Sequence, residues 1–302
     1  MSGDDDLTFD QQDAAAGEVK RLSPLTRRLI ANNPSPFTFT GTCSYIVGEG
    51  SVAIVDPGPL DKAHIEALLA GTSGETIRHI LVTHTHRDHS PAAAALKAAT
   101  GATILGARAF APSGPPGDAR GLDASHDLSY APDRALEDGE RVAGEGYTLE
   151  AIATPGHSAN HLAFALLEEA SLFSGDHVMG WSTTVVAPPD GSMGDYMASL
   201  EKLRARNETV FWPGHGGPVL QPQRYMRGLA HHRRQREMAI LARIEAGDRT
   251  ISEIVAAVYV GLDPRLVGAA RLSTLAHLQD LVARRLVAVD GIVDLNAHFR
   301  RA

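Results

Sequence analysis

Seven consecutive residues, Thr83-His84-Thr85-His86-Arg87-Asp88-His89, constrain this chain more than any other stretch. With 14 His and 21 Asp in 302 residues, a His-x-His-x-Asp-His pattern arises by chance roughly 0.002 times. It follows the β-rich run Ile77–Val82, which reads as a strand. It precedes an alanine-rich helix over 91–99, for which Ser90 is a credible N-cap and Pro91 suits the first helical position. In extended chain His84 and His86 point their imidazoles to the same side and can share one metal ion. Asp88 and His89 fall where the chain turns into the helix and can face a second position. Neutral imidazole and carboxylate suit zinc, with iron and manganese as alternatives.

Two cations need more ligands than one loop supplies, and other strand ends offer them. Thr154-Pro155-Gly156-His157 places His157 after the strand-like run Leu149–Ala153. Ser174-Gly175-Asp176 places Asp176 after another apolar run, and Trp212-Pro213-Gly214-His215 places His215 after Thr209–Trp212. Glycine beside each one leaves room for close approach. Together these form a seven-ligand set: His84, His86, Asp88, His89, His157, Asp176 and His215.

The remaining pattern is α/β. Ser44–Val47 and Val52–Val55 are short strands parted by Gly48-Glu49-Gly50, a hairpin signal. Ala63–Ala70 reads as a helix and His161–Leu167 as a strand. Residues 111–134, rich in Pro, Gly and Asp, read as a long loop, either a lid or a surface insertion. Helices are expected at about 222–246, 251–259 and 267–286, the last carrying the stripe Leu272, Leu275, Leu278, Val282 and Leu286. Leu286–Val289 and Ile292–Leu295 flank Asp290-Gly291, a two-residue hairpin signal. Helices closed by a hairpin are compatible with a winged helix.

Charge divides the chain at about residue 220. Residues 1–220 hold 15 basic and 28 acidic side chains, a net −13, whereas 221–302 hold 13 Arg, no Lys and 8 acids, a net +5. The reading is an acidic mobile tail over 1–20, a catalytic domain over 21–222 and a basic C-terminal domain over 223–302. An acidic whole argues against strong duplex DNA binding, while the basic module leaves room for a local anionic partner. No apolar run approaches 18 residues, so nothing is expected to span a membrane. The acidic N-terminus has no apolar core of a signal peptide, and the lone Cys43 fits a reducing cytoplasm.

At about residues 34–220 the chain resembles the metallo-β-lactamase superfamily. Within it, the chain looks like the lactamase-β-like protein 2 group, which includes an animal mitochondrial single-strand-specific endoribonuclease. Matching segments are Gly41-Thr42-Cys43-Ser44-Tyr45, Thr154-Pro155-Gly156-His157, Phe173-Ser174-Gly175-Asp176, Gly180-Trp181-Ser182-Thr183-Thr184-Val185, Asp195-Tyr196-Met197 and Pro213-Gly214-His215-Gly216. The resemblance implies an αββα sandwich with a dinuclear site at one edge and a C-terminal winged-helix-like domain. It implies that His84, His86 and His157 hold one ion, that Asp88, His89 and His215 hold the other, and that Asp176 bridges them. Asp56, in Val55-Asp56-Pro57-Gly58, then matches a supporting carboxylate beside the site.

Such a site implies a metal-dependent hydrolase that uses metal-activated hydroxide on an ester-like bond. Asp176 and Asp88 are its catalytic candidates, Asp176 also as acceptor of the nucleophile's proton. The leading specific substrate is a phosphodiester of single-stranded RNA, and a small-molecule ester is the broader expectation. A thioester hydrolase of glyoxalase II type is the alternative, and an iron-dependent persulfide dioxygenase-like redox enzyme is the different class. The C-terminal domain guides an anionic substrate, covers an apolar face or forms a homodimer contact. Trp181, Thr183 and Thr184 are candidate pocket residues. His161 is expected under the His157 loop, and His177 is expected to face away from the site. The run His231-His232-Arg233-Arg234-Gln235-Arg236 reads as a solvated helical face.

Overall fold

Residues 43–48, 51–55, 162–166 and 171–175 are buried at every position, as expected of central strands covered on both faces of a sheet. The computed structural model describes Phe9, residues 15–111 and residues 126–302. Most of the expected 1–20 tail and much of the expected 111–134 loop lie outside the described residues.

The first sheet runs in chain order: β1 (Lys20–Arg21), β2 (Thr26–Ile30), β3 (Cys43–Glu49), β4 (Ser51–Val55), β5 (Thr76–Val82), β6 (Thr103–Gly106) and β7 (Arg134–Ala135). Pairing is antiparallel from β1 to β4 and parallel from β4 to β7. Helices α1 (Lys62–Gly71) and α2 (Ala92–Thr100) form the crossovers. The second sheet comprises β8 (Arg141–Ala143), β9 (Thr148–Ala153), β10 (Leu162–Leu166), β11 (Ser171–Gly175) and β12 (Val210–Pro213). Its spatial order is β12-β11-β10-β9-β8.

Alternation along the strands builds the layers. Tyr45, Val47, Val55 and Leu81 of the first sheet meet Leu149, Phe164, Phe173 and Trp212 of the second. Their chain neighbours Ile46, Ile54, Ile80 and Val82 point the other way, onto Leu68 of α1 and Leu96 of α2. On the far side of the second sheet Ile152, Ala163, Ala165 and Leu172 pack under α3 (Met193–Arg204) and α4 (Pro222–Glu245). The architecture is an αββα sandwich.

Ser90 does not cap α2. Pro91 occupies the cap position without a side-chain bond, and Ser90 Oγ donates to Asp127 at 3.0 Å. The first-turn amides of Ala92 and Ala93 are already satisfied by the carbonyls of Gly58 and Ser90, at 3.1 and 2.9 Å.

The C-terminal module adds α5 (Ile251–Val258), α6 (Val267–Ala283) and a hairpin of β13 (Val287–Val289) and β14 (Phe299–Arg301). Leu275 and Leu278 sit in its core with Leu281 and Phe299. The hairpin corrects the two-residue turn expected at Asp290-Gly291: β13 pairs with 299–301, Val289 opposite Phe299, and not with 292–295. Gly291 does turn the chain at φ +97°. Ile292, however, is 83% exposed while Phe299 is fully buried, so burial of the aromatic ring sets the register.

Helix α4 belongs to both units. Met226, Leu229 and Ala230 cover the second sheet, while Ile240 and Ile244 join the module's core. The charge step near residue 220 thus marks the start of a shared helix. A chain ending after Gln221 would expose Leu172, Phe211 and Val219 to water. It is expected to aggregate rather than elute as a monomer in size-exclusion chromatography. A soluble, cooperatively melting truncation would contradict this shared core.

Candidate metal centre

The loops that follow β4, β5, β9, β11 and β12 meet at one edge of the sandwich. They carry Asp56, the 84–89 run, His157, Asp176 and His215. His84, His86 and His157 converge, with His86 Nδ1 3.0 Å from His84 Nε2 and 3.1 Å from His157 Nε2. Asp88, His89 and His215 form a second convergent triad. Asp88 Oδ2 lies 3.2 Å from His215 Nε2 and 3.5 Å from His89 Nε2. Asp176 faces both groups: Oδ1 is 3.4 Å from His89 Nε2, and Oδ2 is 3.3 Å from His215 Nε2 and 3.6 Å from His157 Nε2.

Outer partners fix which imidazole nitrogen faces inward. Thr83 Oγ1 donates to Asp56 and so receives the His84 Nδ1 proton, at 2.9 Å. His89 Nδ1 is 2.9 Å from Asp56 Oδ2. The carbonyls of Val185 and Gly41 accept from Nδ1 of His157 and His215, at 2.7 and 3.2 Å. All four Nε2 atoms are thereby turned toward the cluster. Asp56 performs this service from a positive-φ turn (φ +50°) and anchors the motif by accepting the Thr83 amide at 2.8 Å.

Electrostatics follow this arrangement. Burial, then the nearby imidazoles of His157 and His126, push His86 down to about 3. Burial likewise opposes charge on His215, but Asp176 and Asp88 outweigh it and push its pKa up to about 10. Burial raises Asp176 and Asp88, yet the histidines around them hold both carboxyls well below the usual range. Two anionic carboxylates and inward-facing nitrogens converge here, and Asp176 Oδ1 is buried without a hydrogen-bond partner. That donor set fits divalent cations, which would replace the protons shared among these groups.

Close packing explains the glycines. A Cβ on Gly214 would collide with Asp176 Oδ1, and one on Gly156 (φ +139°) with the backbone of Tyr196. His161 sits beneath the site: its Nδ1 is 2.8 Å from Thr154 Oγ1, and its Nε2 accepts the Asp176 amide at 3.1 Å. His177 points away and packs on the Tyr196 ring at 4.7 Å between centroids. Trp181, Thr183 and Thr184 line the cavity over the site.

Several contributors are invisible in the sequence pattern. His126 and Asp190 lie behind His86, 3.3 Å apart, with His126 stacked on Phe110. The 231–236 run departs from a solvated face. Arg233 is only 4% exposed and donates to Thr184 O at 2.5 Å, while Thr184 Oγ1 lies 3.0 Å from His157 Nδ1. An Arg-rich run read without its partners gives no sign that one member turns inward.

Residues 37–215 match the metallo-beta-lactamase superfamily, and residues 250–294 match the beta-lactamase associated winged helix domain. The chain belongs to the metallo-β-lactamase superfamily. This superfamily hydrolase is 33% identical over 286 residues to a beta-lactamase-like protein 2 homolog of Caenorhabditis elegans, covering 93% of this chain and 90% of that protein. It is 32% identical to an atrochrysone carboxyl ACP thioesterase of Paecilomyces divaricatus, over 91% of this chain and 83% of the relative. Its fold matches a beta-lactamase domain protein of Burkholderia ambifaria with a TM-score of 0.79 at 21% identity, covering 97% of each chain. No helix among the described residues is long and apolar enough to cross a membrane.

Because Asp56 orients His89, Asp56→Asn is expected to weaken metal binding by about 10–100-fold. Competition with a chromogenic chelator measures this. Unchanged affinity would show that the surrounding fold holds His89 without the Asp56 carboxylate.

Proposed function

We propose that this protein is a two-metal hydrolase of thioesters carrying apolar acyl groups. One observation carries the reading: a cavity of about 560 Å³ over Asp88, His157, Asp176 and His215 is walled by Phe37, Met179, Val185 and Leu272. Such a wall suits an acyl chain better than a polyanion. The leaving group supports the same choice. Among the described residues the cavity wall holds no Lys, Tyr or Cys to protonate a departing atom. A thiolate, with a thiol pKa of about 8.5, departs without such help. The likeness to a carboxyl ACP thioesterase is in keeping with this.

On this reading His84, His86 and His157 hold one ion, Asp88, His89 and His215 the other, and Asp176 both. Bound there, two divalent cations, zinc foremost with iron or manganese as alternatives, supply hydroxide at neutral pH and polarise the scissile carbonyl. Asp176, within 3.6 Å of three imidazole nitrogens, takes the proton released by the nucleophile. Phe37 and Leu272 exclude water and seat the acyl group. Residues 21–222 carry the chemistry, and 223–302 form the winged-helix-like module whose Leu272 and Ala269 complete the cavity wall.

The deciding experiment incubates zinc-loaded protein with a medium-chain acyl thioester and, separately, with a single-stranded RNA oligonucleotide. Thiol release with intact RNA is the expected result. RNA cleavage without thiol release would overturn the thioester reading, and oxygen consumption by an iron-loaded sample would replace it with redox chemistry.

A further inference from the structure

We propose that the hollow between the sandwich and the C-terminal helices is a phosphate-binding subsite for the thiol arm of the substrate, an inference that rests on the thioester reading. This second cavity, of about 890 Å³, reaches to Arg236, Tyr259 and Leu266. It shares Phe37, Trp181 and the 182–185 segment with the cavity over the metal centre. An acyl group held at the metal centre would therefore direct its leaving arm into it.

The charge of the walls selects the ligand. His232, Arg233, Arg236 and Arg265 line this hollow with a single acid, Asp263. Asp263 is held by Arg265 at 2.7 Å. Burial, reinforced by Arg233 and Arg236, lowers His232 to about 4, so it stays neutral. Arg233 and Arg236 remain, and among the described residues neither has a carboxylate within 4.0 Å. Their partners are carbonyls, Thr184 O for Arg233 and Val258 O for Arg236. Arg236 sits over the Tyr259 ring, 3.9 Å from its centroid, which holds its guanidinium in place. Arg233 is almost wholly buried, and its Nε has no partner. The Tyr196 ring, 5.0 Å from its guanidinium carbon, and one carbonyl are its partners among the described residues, and a buried guanidinium with no carboxylate beside it is costly unless an anion joins it.

Spaced three residues apart on α4, the two arginines share one face. Their two charges match a phosphate dianion, and their forked donors suit its oxygens better than a lone carboxylate. Arg233 also grips Thr184, which contacts His157, so the arm subsite is built against a wall of the metal centre. Arg236 is the specificity residue and Arg233 the positioning residue.

The test compares S-hexanoyl-4′-phosphopantetheine with S-hexanoyl-pantetheine, which differ only in the phosphate, on the full-length zinc-loaded protein. The wild type is expected to favour the phosphorylated thioester by about 10-fold or more in kcat/KM, chiefly through KM. Arg236→Gln should bring that ratio close to one. Equal turnover of both substrates by the wild type would overturn the subsite. Turnover of neither would overturn the thioester reading instead. Isothermal titration with 4′-phosphopantetheine itself then decides the subsite independently. Binding that exceeds pantetheine and weakens in Arg236→Gln supports it, and binding indifferent to either change overturns it.

Discussion

Asp176→Ala is expected to lower turnover by on the order of 10³-fold or more, the scale seen when a central electrostatic group is removed. Asp88→Ala should cost less at matched metal content. The difference lies in reach. Asp176 comes within 3.6 Å of His89, His157 and His215, so it faces both triads, whereas among the described residues Asp88 pairs with His89 and His215 of one triad. Asp176 is also locked by its backbone, whose amide donates to His161 and whose neighbour Gly214 leaves no space for another group. The Asp88 side chain is 27% exposed against 9% for Asp176, so water can enter where Asp88 is lost. Steady-state rates on a thioester, with metal per chain measured in the same samples, provide the comparison. Equal residual activity in the two variants would show that Asp176 serves one ion and not both.

The convergent His/Asp cluster was legible because its members are local signals. Each follows an apolar run that becomes a strand, and the expected strand ends at Val82, Ala153 and Trp212 lie within one residue of those observed. What orients those side chains was not legible. The acceptors for His157 and His215 are the carbonyls of Val185 and Gly41, and every residue type carries a carbonyl. The hairpin turn misled for a related reason. Asp290-Gly291 signals a local bend, but the core 8 to 10 residues later decides which segment pairs. Charge asymmetry marked a boundary at about residue 220, yet charge reports surface. Met226, Leu229 and Ala230, which tie α4 to the sandwich, follow the first turn of the basic segment. Arg233 shows the same limit, since its run reads as solvated and one member is buried against Tyr196.

Metal content should be close to two divalent ions per chain, and His215→Ala should lower it by about one while leaving the other site filled. The asymmetry follows from the outer partners. His84, His86 and His157 form a triad whose orientation depends on Thr83 and Val185, none of which touches His215. Loss of the His215 ring removes one neutral ligand and leaves Asp88 and His89 facing open space, with Asp176 still shared. His89 keeps its own support through Asp56, so that half retains Asp88, His89 and a share of Asp176, one donor fewer than the other half keeps, and its ion is the one expected to dissociate on dialysis. Activity should fall together with the second ion, because hydroxide supply and carbonyl polarisation are then asked of a single cation. Elemental analysis after dialysis, with thiol release measured on the same samples, separates the cases. A fully active protein holding one tightly bound ion would overturn the two-cation reading, whereas loss of both ions from His215→Ala would show that the two halves fill as one unit.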